Sequence, residues 1–297
     1  MAMLGTVRFI MHHPIAKHTR WRSLCRFFWW QTISRLHHGE FIYPWINNSK
    51  LAVRCGDHGL TGNIYCGLHE PAEMGFVLMA LRPGELFVDV GANMGSYTVL
   101  AGAAVGARVI ALEPHPTNFA RLKRNIEVNG IESRVTAVNA AAGATPGTLR
   151  FSGESKTTSH LLGPHEEDNL AISVPVTTLD ELLGNENPTI IKIDVEGYEG
   201  AVLSGANATL QKSSLRAVIA ELNGRGARYG FNEPAIRTLL ADAGFRPCLF
   251  TPTNRQLVES QTKGPDDDNV IYVRDVQQAR RLAAAAPQIT VLGGYHL

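Results

Sequence analysis

Short apolar runs separated by helix-length stretches dominate the middle of the chain. Leu86–Val90, Arg108–Leu112, Val135–Ala140, Ile190–Asp194, Ala217–Leu222 and Asn269–Val273 lack polar alternation and read as strands buried on both faces. Between them lie helix-like segments: one from about Ser96, one over Thr117–Asn129 with Gly130 at its stop position, one from near Tyr198 and one near Glu233–Ala243. Thr148–Phe151 and Ile172–Val176 read as further strands around a polar loop, and Pro247–Phe250 as another. Strands alternating with helices predict an α/β fold: a mostly parallel sheet whose right-handed crossovers place helices on both faces. Ligands in such sheets bind beyond the carboxyl ends of the strands. The residues just after each strand are therefore where chemistry is sought.

The two ends of the chain follow other patterns. Residues 1–58 form an extension rich in aromatic and basic residues, ahead of a body over 59–275 and a C-terminal helix and tail over 276–297. In the extension Trp21, Cys25, Phe28, Trp29 and Thr32 recur at helical spacing, which predicts an amphipathic helix in an otherwise irregular segment. Two uses follow from that stripe. It packs on the body as an acceptor-side cap, or residues 12–45 make peripheral contact with an anionic membrane or a partner. The extension holds eight Lys/Arg against two Asp/Glu, whereas the rest holds 20 against 25.

Composition narrows the classes. At 44% hydrophobic residues over 297 positions the chain has enough apolar material for a large core, which excludes wholesale disorder. A net charge of +1 argues against a nucleic-acid partner held by phosphate attraction. Cys25, Cys55, Cys66 and Cys248 make no CxxC pair, so free thiols are expected. No apolar run is long enough to span a bilayer, and His12, His13, Lys17 and Arg20 interrupt the start where a leader needs an unbroken apolar stretch. A soluble cytoplasmic protein is expected. His12, His13, His18, His37 and His38 lack accompanying carboxylate or cysteine spacing and read as solvated side chains, not metal ligands.

The first candidate site is the turn Asp89-Val90-Gly91-Ala92-Asn93-Met94-Gly95-Ser96. Its glycines allow a sharp strand-to-helix turn, and the helix start at Ser96 favours an anionic group. Glu113 follows the second strand 24 positions beyond Asp89, where an acid can accept from both ribose hydroxyls. A dinucleotide fingerprint read from Gly91 fails at Asn93 and Ser96. An acid at Asp89 suits a cationic ligand better than a pyrophosphate. S-adenosylmethionine, with a sulfonium, an ammonium and a carboxylate, fits an acid beside a helix N-terminus.

The second candidate site is Ile191-Lys192-Ile193-Asp194-Val195-Glu196-Gly197-Tyr198-Glu199, a buried strand ending in charge. Alternation puts Lys192, Asp194 and, if the chain stays extended, Glu196 on one side. A buried Lys192 needs a carboxylate partner. Glu221 ends the next strand. Lys192, Asp194, Glu196 and Glu221 are thus the catalytic candidates, with Asp194 or Glu196 favoured as the base for a hydroxyl acceptor. No second acid pair at a matching strand end suggests a metal.

Phe87 to Gly95 resembles the first motif of class I S-adenosylmethionine-dependent methyltransferases. Residues 191–199, followed by Val202-Leu203-Ser204-Gly205-Ala206, resemble the signature of the FkbM family within that class. The resemblance runs from about Gly62 to Arg274 and takes in Asn139-Ala140-Ala141, Leu179-Asp180 and Asp268-Asn269-Val270. Asn93 replaces the central glycine of the general motif, as is usual in the FkbM family. The resemblance implies a Rossmann-like, seven-stranded sheet with its last strand antiparallel. It also implies methyl transfer to a hydroxyl of a sugar, glycolipid or secondary metabolite. By position Asp89, Gly91, Asn93 and Gly95 would line the methionine part of the cofactor, Glu113 would hold the ribose and Ala141 would flank the adenine, with Ser96 and Asn118 also among the cofactor-binding residues. Asp194 would lie where cofactor and acceptor meet. Two other classes compete: a scaffold that keeps the fold without turnover, and, disfavoured by Asn93 and the 192–196 signature, an NAD-dependent oxidoreductase. The acceptor's pocket is expected from the extension and the loop Gly153–Leu170.

Overall fold

The computed structural model describes residues 2–37, 39–153, 162, 169–260, 268–291 and 294–297. Helices α1 (Ala2–His12) and α2 (Arg20–Leu36) lead into a hairpin of β1 (Phe41–Pro44) and β2 (Lys50–Val53), then α3 (His58–Cys66) and α4 (Pro71–Ala80). The repeating part follows as β3 (Leu86–Val90), α5 (Ser96–Val99, widening into a π turn to Val105), β4 (Arg108–Leu112), α6 (Pro116–Asn129) and β5 (Val135–Val138). Next come β6 (Ala141–Ala142), β7 (Gly147–Phe151), β8 (Ile172–Thr177), α7 (Leu179–Leu183), β9 (Pro188–Ile193), α8 (Glu199–Ser204), α9 (Asn207–Leu210) and β10 (Ala217–Glu221). The last elements labelled are α10 (Glu233–Asp242), β11 (Arg246–Thr251), β12 (Gln256–Glu259), β13 (Asn269–Val273) and α11 (Val276–Ala284).

The main sheet has the order β12-β11-β13-β10-β9-β3-β4-β5. Strands β5, β4, β3, β9 and β10 are parallel, and β13 is inserted antiparallel between β10 and β11. The expected α/β sheet with an antiparallel last strand is present, with β12 as an eighth, edge strand. That strand has one buried residue, Leu257, and so carries no apolar run to read. The expected strand Val135–Ala140 breaks at Asn139, whose side-chain amide donates to the carbonyls of Glu113 and Pro114 at 2.8 and 2.9 Å. The chain then leaves the main sheet, and β6, β8 and β7 form a separate three-stranded sheet.

Side-chain alternation divides the core. Phe87, Val109, Ala111, Ile190 and Ile219 face one side, with α4, α6 and α11 packed against them. Leu86, Val88, Val90, Ile110 and Ile191 face the other, against α7, α8 and α10. Ile10, Ile15, Phe27, Trp30, Trp45 and Ile46 of the extension belong to the first cluster, so the extension and the sheet share one hydrophobic core.

Helix α2 packs with Ser23, Phe27, Trp30 and Ser34 inward; Phe27 meets Tyr65 of α3 edge-on at 5.2 Å. The stripe of Trp21, Cys25, Phe28, Trp29 and Thr32 faces outward instead, so any capping by this helix uses the opposite face. His13 also departs from expectation, being buried rather than solvated. Its Nδ1 accepts from the amides of Ile15 and Ala16 at 3.2 Å, and burial lowers its pKa to about 4. His12, His18 and His37 are exposed, while His38 and most of the loop Gly153–Leu170 lie outside the described residues. All four cysteines are free thiols. Among the described residues no helix is long and apolar enough to cross a membrane, and no group of three or more His, Cys, Asp or Glu is placed to hold a metal.

Candidate active site

Three strand ends are stitched together by their own backbones. The amides of Gly91 and Ala92, just past β3, donate to the Leu112 carbonyl at the end of β4 at 3.0 and 2.8 Å. The amide of Asp194, just past β9, donates to the Val90 carbonyl at 3.0 Å. Gly91 has φ +80°, and a Cβ on it would sit 1.9 Å from the Asp194 carbonyl oxygen. Only glycine lets the two loops meet this closely. The cleft above this junction is lined by Gly91, Asn93, Glu113, Asn118, Ala141, Asp194 and Glu196, so it gathers most of the residues singled out in the sequence.

Glu113 is 4% exposed on the cleft wall. Its Oε2 accepts from the Asn93 amide at 2.8 Å and its Oε1 from the His115 amide at 2.9 Å. Burial nonetheless raises its pKa to about 7, against the donors His115, Asn93 and Asn118 that favour the anion. With His115, Asn93 and Asn118 filling three of its roughly four lone-pair sites, the carboxylate can still accept a hydroxyl. Asn93 itself takes φ +51°, and its Oδ1 is buried without a partner. Beyond Glu113 the alanines 140–142 and Phe151 line the cleft with small and flat surfaces, suited to a planar ring.

Asp89, Gly95 and Ser96 do not line the cleft. Asp89 is 1% exposed and accepts from Thr98 Oγ1 at 2.6 Å, fastening the start of α5 to β3. Burial raises its pKa to about 6, with Lys192 and Thr98 opposing. Gly95 at φ +91° is the residue from which α5 begins.

Lys192 lies beside Asp89 in the parallel register and is 2% exposed. Its Nζ donates to Asp194 Oδ2 at 2.7 Å and sits 4.6 Å from the centre of the Tyr97 ring. Burial by itself would lower its pKa, but the carboxylates of Asp194, Glu70 and Asp89 more than offset this and raise it. Lys192 therefore stays charged and is a counter-ion, not a proton acceptor. Tyr97 O–H donates to Glu70 Oε2 at 2.5 Å, extending the network to the start of α4. The expected alternation brings Lys192 and Asp194 together. Glu196 departs from the extended run at φ +56° and pairs with Arg225. Glu199 is buried and accepts from the amides of Val195 and Gly197, both at 3.1 Å, which holds this loop in shape. Glu221 follows Ala220, the partner of Ile193 in the register, and so ends its strand alongside Asp194. It lines a neighbouring cavity with Glu199, Asn223, Phe231 and Glu233. Its Oε2 has no partner, and burial, then the Asp194 and Glu199 charges, raise its pKa.

Sequence reasoning missed Glu70, Tyr97, Phe151, Tyr198 and Arg225. Tyr97 and Tyr198 fall inside or beside the two motifs and could have been flagged there. Glu70 and Arg225 are distant in the chain and carry no local signal.

Residues 89–247, just over half of the chain, match the methyltransferase FkbM domain. The chain is similar to the hexuronic acid methyltransferase AglP of Haloferax volcanii, 27% identical over 163 residues that cover 54% of this chain and 62% of that protein. It is also similar to the methyltransferase sdnD of Sordaria araneosa, 26% identical over 199 residues covering 56% of this chain and 75% of that one. A solved precorrin-6y C5,15-methyltransferase from Geobacter metallireducens superposes with a TM-score of 0.39 at 14% identity, covering 68% of this chain and 84% of that one.

Proposed function

The chain belongs to the FkbM methyltransferase family, and from that premise we propose that it uses S-adenosylmethionine to methylate a hydroxyl of a sugar, glycolipid or secondary metabolite. The observation that carries the cofactor assignment is the Glu113 site: a buried carboxylate with a spare lone pair, next to an alanine-lined slot and the unpartnered Oδ1 of Asn93. Glu113 and Asn118 would hold the ribose, residues 140–142 and Phe151 the adenine, and Gly91, Asn93 and Asp194 the amino-acid end. When bound, S-adenosylmethionine supplies an electrophilic methyl group on a sulfonium. The protein's part is to orient the acceptor, keep water out and take a proton.

Of the four catalytic candidates, Lys192 is held charged, and Asp194 and Glu196 are each paired with a cation. Glu221 has an unpartnered oxygen and a raised pKa in the cavity next to Asp194. This supports Glu221 as the base, with Asp194 orienting the acceptor. Calorimetric titration with S-adenosylhomocysteine and turnover on a panel of glycosides and uronic acids separate these roles. Glu221→Gln should keep binding and lower turnover roughly 100-fold or more. Full turnover in that variant would remove Glu221 as the base. A hexuronic acid offers a carboxylate as well as hydroxyls, and a carboxylate acceptor needs no base. Release of methanol from the product by mild alkali would identify that ester and exclude an ether.

Glu113 sets a pH dependence of cofactor binding. A ribose hydroxyl donating to its carboxylate favours the anion, so binding lowers a pKa of about 7 and releases a proton. Affinity should therefore rise with pH up to about 7 and level off above it. Glu113→Gln should bind roughly tenfold or more weakly with no such slope. A wild-type affinity flat from pH 5 to 8 would contradict the assignment. Failure of the folded protein to bind either adenosyl ligand would favour the scaffold reading.

A further inference from the structure

We propose that the outward face of α2 is a docking surface for an anionic lipid bilayer. Trp21 is 78% exposed, Phe28 52%, Trp29 46% and Leu36 72%, while the helix already buries Phe27 and Trp30 against the body. The helix therefore does not need this stripe for packing. Exposed singly, such residues would be unremarkable, but four on one face of one helix form a patch. Tryptophan and phenylalanine are the side chains that settle at a headgroup boundary, with their rings against acyl chains.

Charge selects the occupant. No Asp or Glu occurs before Glu40, whereas Arg8, Lys17, Arg20, Arg22, Arg26 and Arg35 all precede it. Arg20, Arg22 and Arg35 are exposed on α2 beside the stripe. A second copy docked about a two-fold axis through this face would set one cationic flank against another. An anionic bilayer meets both the apolar centre and the cationic flanks, and basic residues near its surface each add attraction. The mildly acidic body, by contrast, is repelled, which orients the protein with α2 towards the lipid.

The test mixes the full chain with vesicles of phosphatidylcholine alone and with added phosphatidylserine, and reads the bound fraction by sedimentation. Binding is expected on the phosphatidylserine vesicles and should weaken with salt. The triple variant Trp21→Ser, Phe28→Ser, Trp29→Ser should bind about tenfold more weakly or less, with an unchanged circular dichroism spectrum and unchanged S-adenosylhomocysteine titration. Arg20→Glu with Arg35→Glu should lose the preference for phosphatidylserine. Emission from Trp21 and Trp29 should shift to the blue on binding and be quenched by brominated lipid. No vesicle binding by the wild type, or equal binding by the triple variant, would overturn the proposal. A dimer that dissociates in the triple variant, without vesicle binding, would assign the face to a second copy instead.

Discussion

Lys192→Met is expected to lower the stability of the folded chain by about 3–5 kcal/mol, the range for removing one partner from a buried ion pair. The side chain is 2% exposed and is the cation shared by Asp194, Glu70 and Asp89. Methionine fills much of the volume but leaves those acids facing one another. The loss should depend on pH. Asp89 already has its pKa raised from 3.8 to about 6 with Lys192 present, and without the cation it rises further. A carboxyl whose folded-state pKa is raised weakens the fold as pH climbs through that value. The variant should therefore lose more stability relative to wild type near pH 8 than near pH 5, as measured by urea denaturation at each pH. Asp89→Asn added to Lys192→Met should recover part of the loss. If the double variant is no more stable than the single one, buried charge is not the cause.

Gly91→Ala is expected to cost about 2–5 kcal/mol and to weaken cofactor binding with it. A non-glycine residue in the left-handed region costs about 1–2 kcal/mol, and forced overpacking about 1–3 more. The added Cβ meets the Asp194 carbonyl oxygen at 1.9 Å, and that atom belongs to backbone that cannot rotate away. Relief requires the β3 loop and the β9 loop to separate, which displaces Asn93 from Glu113 and Asp194 from Lys192. Gly56→Ala is the control: its φ is +93°, but nothing lies within 4 Å of the new Cβ. It should show the backbone strain alone, with S-adenosylhomocysteine titration unchanged. Equal effects in the two variants would mean that the close approach at Gly91 contributes nothing.

Some of this molecule is written locally. Helix α6 follows from its apolar period and Gly130, whose φ of +61° provides the left-handed stop. The central strands follow from unbroken apolar runs, and the cleft residues Gly91, Asn93, Glu113 and Asp194 from their places just after those strands. Other features escape because no short stretch contains their cause. The edge strand β12 buries one residue and forms because β11 offers it a partner. Arg225 meets Glu196 only when the turn after β10 folds back over Gly197, where a Cβ would lie 2.8 Å from the Arg225 backbone.

The extension draws the same distinction most sharply. Its sequence determines that α2 is helical and carries a stripe of Trp21, Cys25, Phe28, Trp29 and Thr32, because periodicity is a property of the chain alone. It does not determine which face turns inward. The tertiary structure selects Phe27 and Trp30, since Tyr65 and Phe41 supply ring partners for them at 5.2 and 5.6 Å. Likewise the charged residues of the 192–196 segment are fixed by sequence, but their roles are not. Folding gives Lys192 to Asp194, turns Glu196 to Arg225 and leaves Glu221 with an oxygen unpaired, because the energy of a buried charge depends on neighbours that only the assembled sheet brings within reach.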